Sequence, residues 1–178
     1  MSDATILIVE DEAIVAEDLA QQLGRLEYVV CGITGLGEEA VALARERRPD
    51  LILMDIRLKG RMDGIEAAEL IRREADVPVV YLTAHSDSPT LQRAKLTGPF
   101  GYILKPFQSR ELETQIELAL YRHQSERKLR QNNYELQIFH DSMINRELRV
   151  IELKQEVDQL CVTFGQPTRY GYVSADKG

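Results

Sequence analysis

The chain has 178 residues with a formal net charge of −7, and 44% of them are hydrophobic. This is sufficient for one α/β domain with its own core and an additional segment. The acidic balance argues against a general nucleic-acid binder, and no apolar run is long enough for a membrane-spanning helix. Residues 1–4 do not resemble a signal peptide. Because Cys31 and Cys161 are far apart and form no metal spacing, we expect reduced thiols and a cytoplasmic protein.

Apolar runs alternate with helical patterns through residues 1–122. The predicted strands are 6–9, 28–33, 51–54, 78–82 and 101–104. The predicted helices are 13–26, 38–48, 65–73, a fourth that ends near 96 and a fifth that begins near 109. Strict alternation with short connections predicts an α/β fold, a doubly wound five-stranded parallel sheet covered on both faces.

The third predicted strand, Leu51–Met54, has no polar residue and is followed by Asp55. An unbroken apolar run indicates a strand buried on both faces of a parallel sheet. In open α/β sheets, binding and chemistry occur beyond the carboxyl ends of the strands. On this stretch alone, Asp55 is equally consistent with a functional carboxylate and with a simple strand-end cap.

Other strand ends carry polar residues of complementary chemistry. Glu10 and Asp11 follow the first predicted strand, Thr83 follows the fourth and Lys105 follows the fifth. Together with Asp55 they would bring three carboxylates, a hydroxyl and an ammonium to one edge of the sheet. Carboxylates this close repel one another, and a hard divalent cation such as Mg²⁺ relieves the repulsion. This combination is suited to phosphoryl transfer onto a carboxylate.

These residues resemble the receiver domain of two-component response regulators, over roughly residues 4–122. The matching signatures are Glu10-Asp11, Asp55, Thr83-Ala84 and Lys105-Pro106. The resemblance implies a flavodoxin-like (βα)5 fold. It also implies that Asp55 accepts a phosphoryl group from a histidine kinase or a phosphotransfer protein.

The resemblance implies further residue roles. Mg²⁺ would be held by Asp11, Asp55 and the backbone carbonyl of Arg57, with Glu10 acting through water. As a catalytic set, Asp55 would accept the phosphoryl group, Lys105 would contact its oxygens and Thr83 would approach it. Activity would be limited to self-phosphorylation from phosphodonors and slow autodephosphorylation, which leaves its classification as an enzyme open.

Two further residues complete the expectations for the receiver. The bond from Lys105 to Pro106 would be cis. Tyr102 would swing inward as Thr83 moves, making these two residues the switch; from the sequence alone, Tyr102 would be interpreted as a packing aromatic.

Two departures from the family pattern concern loops. Lys59 stands where the family often has proline, and Arg61 makes this loop one residue longer than the commonest form. Arg57 and His85 occupy the positions two beyond Asp55 and two beyond Thr83. We hypothesise that their bulk hinders the attacking water and prolongs phosphorylation; solvated loop side chains are the equal alternative.

The fifth predicted helix continues beyond the receiver as a coiled-coil extension over 123–164, followed by a flexible tail over 165–178. One heptad set is Leu129, Leu136, Met143, Val150, Val157 and Phe164. A second set is Asn132, Phe139, Arg146, Leu153 and Leu160. The pattern predicts a parallel homodimer. A hairpin broken near 132–133 or 141–142, and docking onto another protein, are the alternatives. Residues 145–157 also resemble connector helices of multidomain signalling proteins.

The combined interpretation is a phosphorylatable receiver with a helical output. It would signal through the face of the fourth helix, fifth strand and fifth helix, and through the tail, without a DNA-binding domain, a nucleic-acid partner or a membrane partner. The alternative is a constitutive dimeric scaffold or adaptor. A phosphatase using Asp55 is disfavoured, because such enzymes usually have a second acid where this chain has Arg57.

Overall fold

The computed structural model describes residues 4–84 and 88–172, and for 85–91 it describes no side chains. His85, one of the two residues that we expect to slow dephosphorylation, therefore lies outside the described residues. So do residues 173–178 of the predicted flexible tail. The chain divides into two compact units, Met1–Glu126 and Arg127–Gly178.

Five parallel strands form one sheet in the first unit, in the order β2-β1-β3-β4-β5. The strands are β1 Thr5–Val9, β2 Val29–Thr34, β3 Leu51–Asp55, β4 Val79–Thr83 and β5 Gly101–Leu104. The helices are α1 Ala13–Arg25, α2 Gly37–Arg47, α3 Gly64–Glu74, α4 Ser88–Leu96 and α5 Ser109–Thr163. The predicted doubly wound flavodoxin-like fold is confirmed. No strand begins or ends more than one residue from its predicted position.

Two apolar layers cover the sheet. Strand residues such as Ile8 and Leu53 contact a layer formed by α1 and α5. Their neighbours on the opposite face, such as Met54 and Tyr81, contact a layer formed by α2, α3 and α4. Every residue of β3 is buried, because this strand lies at the centre of the sheet with helices on both faces. The unbroken apolar run that ends at Asp55 follows from this position.

The second unit contains the end of α5 and residues 164–172. Helical backbone continues through 132–133 and 141–142, so the hairpin alternative with a break at either place is wrong. Large apolar side chains along this segment are exposed, among them Leu136 (66%) and Phe139 (64%). Among the described residues, no helix combines the length and the apolar character needed to cross a bilayer.

Backbone N–H groups of residues beyond the helix bind the Asp158 carboxylate. Arg169 and Tyr170 donate to Oδ1 at 2.8 and 2.9 Å, and Tyr172 donates to Oδ2 at 2.8 Å. Burial acts to raise the pKa of Asp158, but these donors outweigh it and hold the pKa below its usual value. The sequence predicts that residues 165–178 fray, and within the described part of this segment Arg169, Tyr170 and Tyr172 are bound to Asp158.

Candidate functional site

The carboxylates of Glu10, Asp11 and Asp55 converge at the carboxyl edge of the sheet. One oxygen from each lies within 4.8 Å of the others. Glu10 and Asp55 are only 3% and 6% exposed, whereas Asp11 is less buried. The Glu10 N–H donates to the Thr34 carbonyl at 2.8 Å, which extends the pairing of β1 with β2 to the edge of the site. The predicted convergence of carboxylates at neighbouring strand ends is thus present in the fold.

Lys105 provides a positive charge for two of these carboxylates. Its Nζ donates to Asp55 Oδ2 at 2.5 Å and lies 2.6 Å from Glu10 Oε2. Burial acts to lower the pKa of Lys105, but the two carboxylates outweigh it and raise the pKa above its usual value. The Lys105 N–H donates to the Thr83 carbonyl at 2.8 Å, and the bond to Pro106 is cis, as the resemblance implies.

Glu10 has a carboxylate oxygen that is suited to a further partner. Oε2 is buried and, among the described residues, accepts no hydrogen bond of good geometry despite its ion pair with Lys105. Burial raises the pKa of Glu10, and the nearby charge of Asp55 adds to this effect, while Lys105 opposes it. An incompletely satisfied carboxylate beside two others is the donor set that a hard divalent cation prefers. The residues therefore fit Mg²⁺, and the action of Glu10 through a water ligand stays a prediction.

The backbone after β3 closes tightly over Asp55. The Arg57 N–H donates to Asp55 Oδ1 at 3.0 Å, and the Gly64 N–H donates to the Ile56 carbonyl at 3.1 Å. A Cβ at Gly64 would lie 1.8 Å from the Asp55 carbonyl oxygen, so only glycine permits this approach. Asp63 then caps α3 and shares a reciprocal capping box with Glu66. The Arg57 carbonyl stays a predicted metal ligand.

Asp11 has a cationic partner of its own. Lys59 Nζ lies 3.2 Å from Asp11 Oδ2, and the two side chains are 78% and 10% exposed. Lys59 belongs to the loop between β3 and α3 and lies four residues beyond Asp55. In the sequence, Lys59 stands out only as a departure from the family pattern, and no role is predicted for it. Its position in a loop that begins at the functional edge was the available signal.

The two predicted switch residues lie on β4 and β5. Thr83 is the last residue of β4, is 7% exposed and pairs with Leu104. The Tyr102 ring is partly buried and stacks on Tyr81, with ring centroids 5.9 Å apart. Burial raises the pKa of Tyr102, and its hydroxyl is buried without a hydrogen-bond partner among the described residues. Tyr81 differs, because its hydroxyl and that of Thr97 lie 2.9 Å apart.

The family assignment follows from a match between residues 6–117 and the response regulator receiver domain. The chain belongs to the response regulator receiver family. Among its relatives is the transcriptional regulatory protein PdtaR of Mycobacterium tuberculosis, which is 43% identical over 117 residues, 66% of this chain and 57% of PdtaR. The DNA-binding response regulator MtrA of Mycolicibacterium paratuberculosis is 38% identical over 121 residues, 68% of this chain and 53% of MtrA. The chain thus matches little more than half the length of these relatives.

Solved receivers have the same fold. The signal receiver domain of a modulated diguanylate cyclase from Desulfovibrio desulfuricans is 40% identical, with a TM-score of 0.68 over 70% of this chain and 99% of that domain. A solved fusion that contains the trimeric coiled coil of yeast Spc42 is 33% identical, with a TM-score of 0.71. This second match covers 85% of the present chain and 95% of the fusion, so it extends beyond the receiver domain of the present chain.

Proposed function

We propose that this response regulator is a phosphorylation switch in which Asp55 accepts the phosphoryl group. The donor is the phosphohistidine of a histidine kinase or of a phosphotransfer protein. The bond between phosphorus and the imidazole nitrogen breaks as a bond forms between phosphorus and an Asp55 carboxylate oxygen. The observation that carries the proposal is the convergence of three carboxylates within 4.8 Å of one another, two of which are paired with the Lys105 ammonium.

Each neighbouring residue has a role in this transfer. Bound Mg²⁺ supplies positive charge that offsets the negative charge of the phosphoryl oxygens. Asp11, Asp55 and the Arg57 carbonyl would hold the cation, and Glu10 would act on it through water. Lys105 moves from Asp55 Oδ2, 2.5 Å away, to a phosphoryl oxygen. Thr83 then donates its hydroxyl hydrogen to another phosphoryl oxygen, and Tyr102 occupies the space that Thr83 leaves.

Intact-mass spectrometry with a small phosphodonor tests this function. With acetyl phosphate and Mg²⁺, the native chain is expected to gain the mass of one phosphoryl group, and Asp55→Asn is expected to gain none. Chelation of Mg²⁺ should suppress the gain in the native chain. Equal labelling of Asp55→Asn would contradict the assignment of Asp55, and it would favour the alternative of an adaptor in which phosphorylation is incidental.

We propose further that the output is a change in pairing of the tail between two copies of the chain. Exposed apolar residues recur at heptad spacing along the second unit, and they include Leu129 (61%), Met143 (47%), Val150 (43%) and Leu153 (44%). A helix with such a stripe needs a partner, and identical copies in parallel bring each apolar residue against its equivalent. Helix α5 provides the connection, because it begins in the receiver and ends in the tail.

Light scattering tests the pairing and its regulation. We expect the full chain to be a dimer and a chain ending at Arg122 to be a monomer without phosphorylation. Beryllofluoride with Mg²⁺, which mimics the phosphorylated aspartate, should change the helicity or the dimer affinity of the full chain only. The same oligomeric state for the two chains would contradict tail pairing. A cytoplasmic location and the lack of a nucleic-acid partner belong to the same proposal.

A further inference from the structure

The three carboxylates do not share one cationic partner. Lys105 is the partner of both Glu10 and Asp55, and its side chain is only 13% exposed. Asp11 is paired with Lys59, whose side chain is 78% exposed. A buried lysine and a solvent-exposed lysine therefore neutralise different parts of one acidic cluster. The exposed lysine is the one that can leave at low cost, because water readily solvates its ammonium.

The loop that carries Lys59 is fixed at several points. Gly60 has a φ of 141°, a conformation that residues with a side chain rarely adopt, and a Cβ built there would lie 3.7 Å from Leu36 Cδ2. Met62 packs closely against Gly37 at the start of α2. Lys59 Nζ lies 3.2 Å from Asp11 Oδ2, and Asp11 is one of the three carboxylates that could hold a divalent cation.

We propose that Lys59 is the counter-cation of Asp11 in the metal-free receiver and that a divalent cation must displace it to bind. The proposal rests on the phosphoryl-transfer function proposed above, because it concerns the cation site of that reaction. Lys59 is a positioning residue in this account, since it does not contact the reacting phosphoryl group. Its consequence is a weaker Mg²⁺ affinity, so the site fills at a higher free Mg²⁺ concentration than it would without the competing side chain.

The expected size of the effect follows from two contributions. Breaking an exposed ion pair opposes binding weakly, and a positive charge left near a divalent cation adds a screened repulsion. Lys59→Met is therefore expected to tighten divalent-cation binding by about three- to tenfold at low ionic strength. The difference should shrink as salt is added, because Lys59 is solvent-exposed and its charge is screened.

Equilibrium titration of Mn²⁺ by electron paramagnetic resonance, confirmed with Mg²⁺ by calorimetry, tests the proposal on the full chain without a phosphodonor. Lys59→Met should bind more tightly, and Lys59→Arg should bind like the native chain because it keeps the charge. Arg61→Met is the matched control, since Arg61 is exposed, belongs to the same loop and carries the same charge. Its effect should be clearly smaller.

The outcomes separate this inference from the proposed function. If native chain and Lys59→Met bind Mn²⁺ equally, Lys59 does not compete and the inference is overturned while the metal site stands. An equal gain of Mn²⁺ affinity in Arg61→Met also overturns the inference, because the gain would then come from removal of any positive charge in the loop. If the native chain binds no Mn²⁺, or if Asp11→Asn binds as well as native, both the metal site and the inference fail.

Discussion

Replacing Lys105 by methionine should destabilise the receiver, and the loss should depend on pH. The substitution removes the counter-charge of Glu10 and Asp55, whose side chains are 0% and 8% exposed. Removing one partner of a buried ion pair costs about 3–5 kcal/mol, because the other charge is left without compensation. The Lys105 side chain is itself 13% exposed, so we expect the lower limit, about 3 kcal/mol.

The pH dependence of the unfolding free energy follows from the direction in which the pKa of Glu10 is shifted. Burial raises the pKa of Glu10 above its ordinary value, so the free energy of unfolding falls as pH rises through the folded-state pKa. Lys105 opposes this shift, and its loss raises the pKa of Glu10 further. The penalty of Lys105→Met should therefore be smaller at about pH 5 than at about pH 8, because a raised pKa favours protonation of Glu10 at the lower pH.

Urea unfolding of the full chain at one protein concentration and without Mg²⁺ measures this effect. Near-ultraviolet circular dichroism follows the packed tyrosines. With a slope of about 2 kcal/mol per molar urea, the midpoint at about pH 8 should fall by about 1.5 M. Lys95→Met, at an exposed position of α4, is the matched control. An unchanged midpoint, or the same loss at both pH values, would refute the reasoning.

Three further substitutions test other contacts. Gly64→Ala should cost about 1–3 kcal/mol of unfolding free energy and weaken Mg²⁺ binding, because its Cβ would lie 1.8 Å from the Asp55 carbonyl oxygen; urea and metal titrations measure both. Tyr102→Phe should raise the unfolding free energy by about 1 kcal/mol, because it removes a buried hydroxyl that has no partner among the described residues; a lower urea midpoint would contradict this. Asp158→Ala should speed amide exchange at Arg169 and its neighbours. In the native chain, the same faster exchange should appear only as pH falls through the depressed pKa of Asp158, below the ordinary range of an aspartate; exchange that is unchanged in Asp158→Ala would contradict the contact.

The sequence was most informative where burial alone determines structure. Leu51–Met54 is apolar throughout because β3 is buried on both faces, so the unbroken apolar run predicts the strand and its end predicts the position of Asp55. Lys105 was predicted in the same way, since it follows β5 directly. Parallel pairing then brings these strand ends to one edge whatever the details of the loops.

Contacts that depend on loop conformation were not predictable in this way. The Lys59–Asp11 pair requires the path of the loop around Gly60, which no periodic pattern encodes. The contact of Asp158 with residues 169–172 forms between a helix and a segment whose glycine and proline content favoured fraying. In both cases the deciding interaction is between a side chain and a particular backbone geometry.

The central claim is that the Asp55 carboxylate forms an acyl phosphate, and reduction of that bond tests it most directly. Borohydride converts a phosphorylated aspartate to homoserine, which peptide sequencing by mass spectrometry locates. After incubation with acetyl phosphate and Mg²⁺, we predict homoserine at position 55 in the native chain and none in a sample kept without the phosphodonor. Homoserine at position 11 or elsewhere, with aspartate unmodified at position 55, would contradict the account.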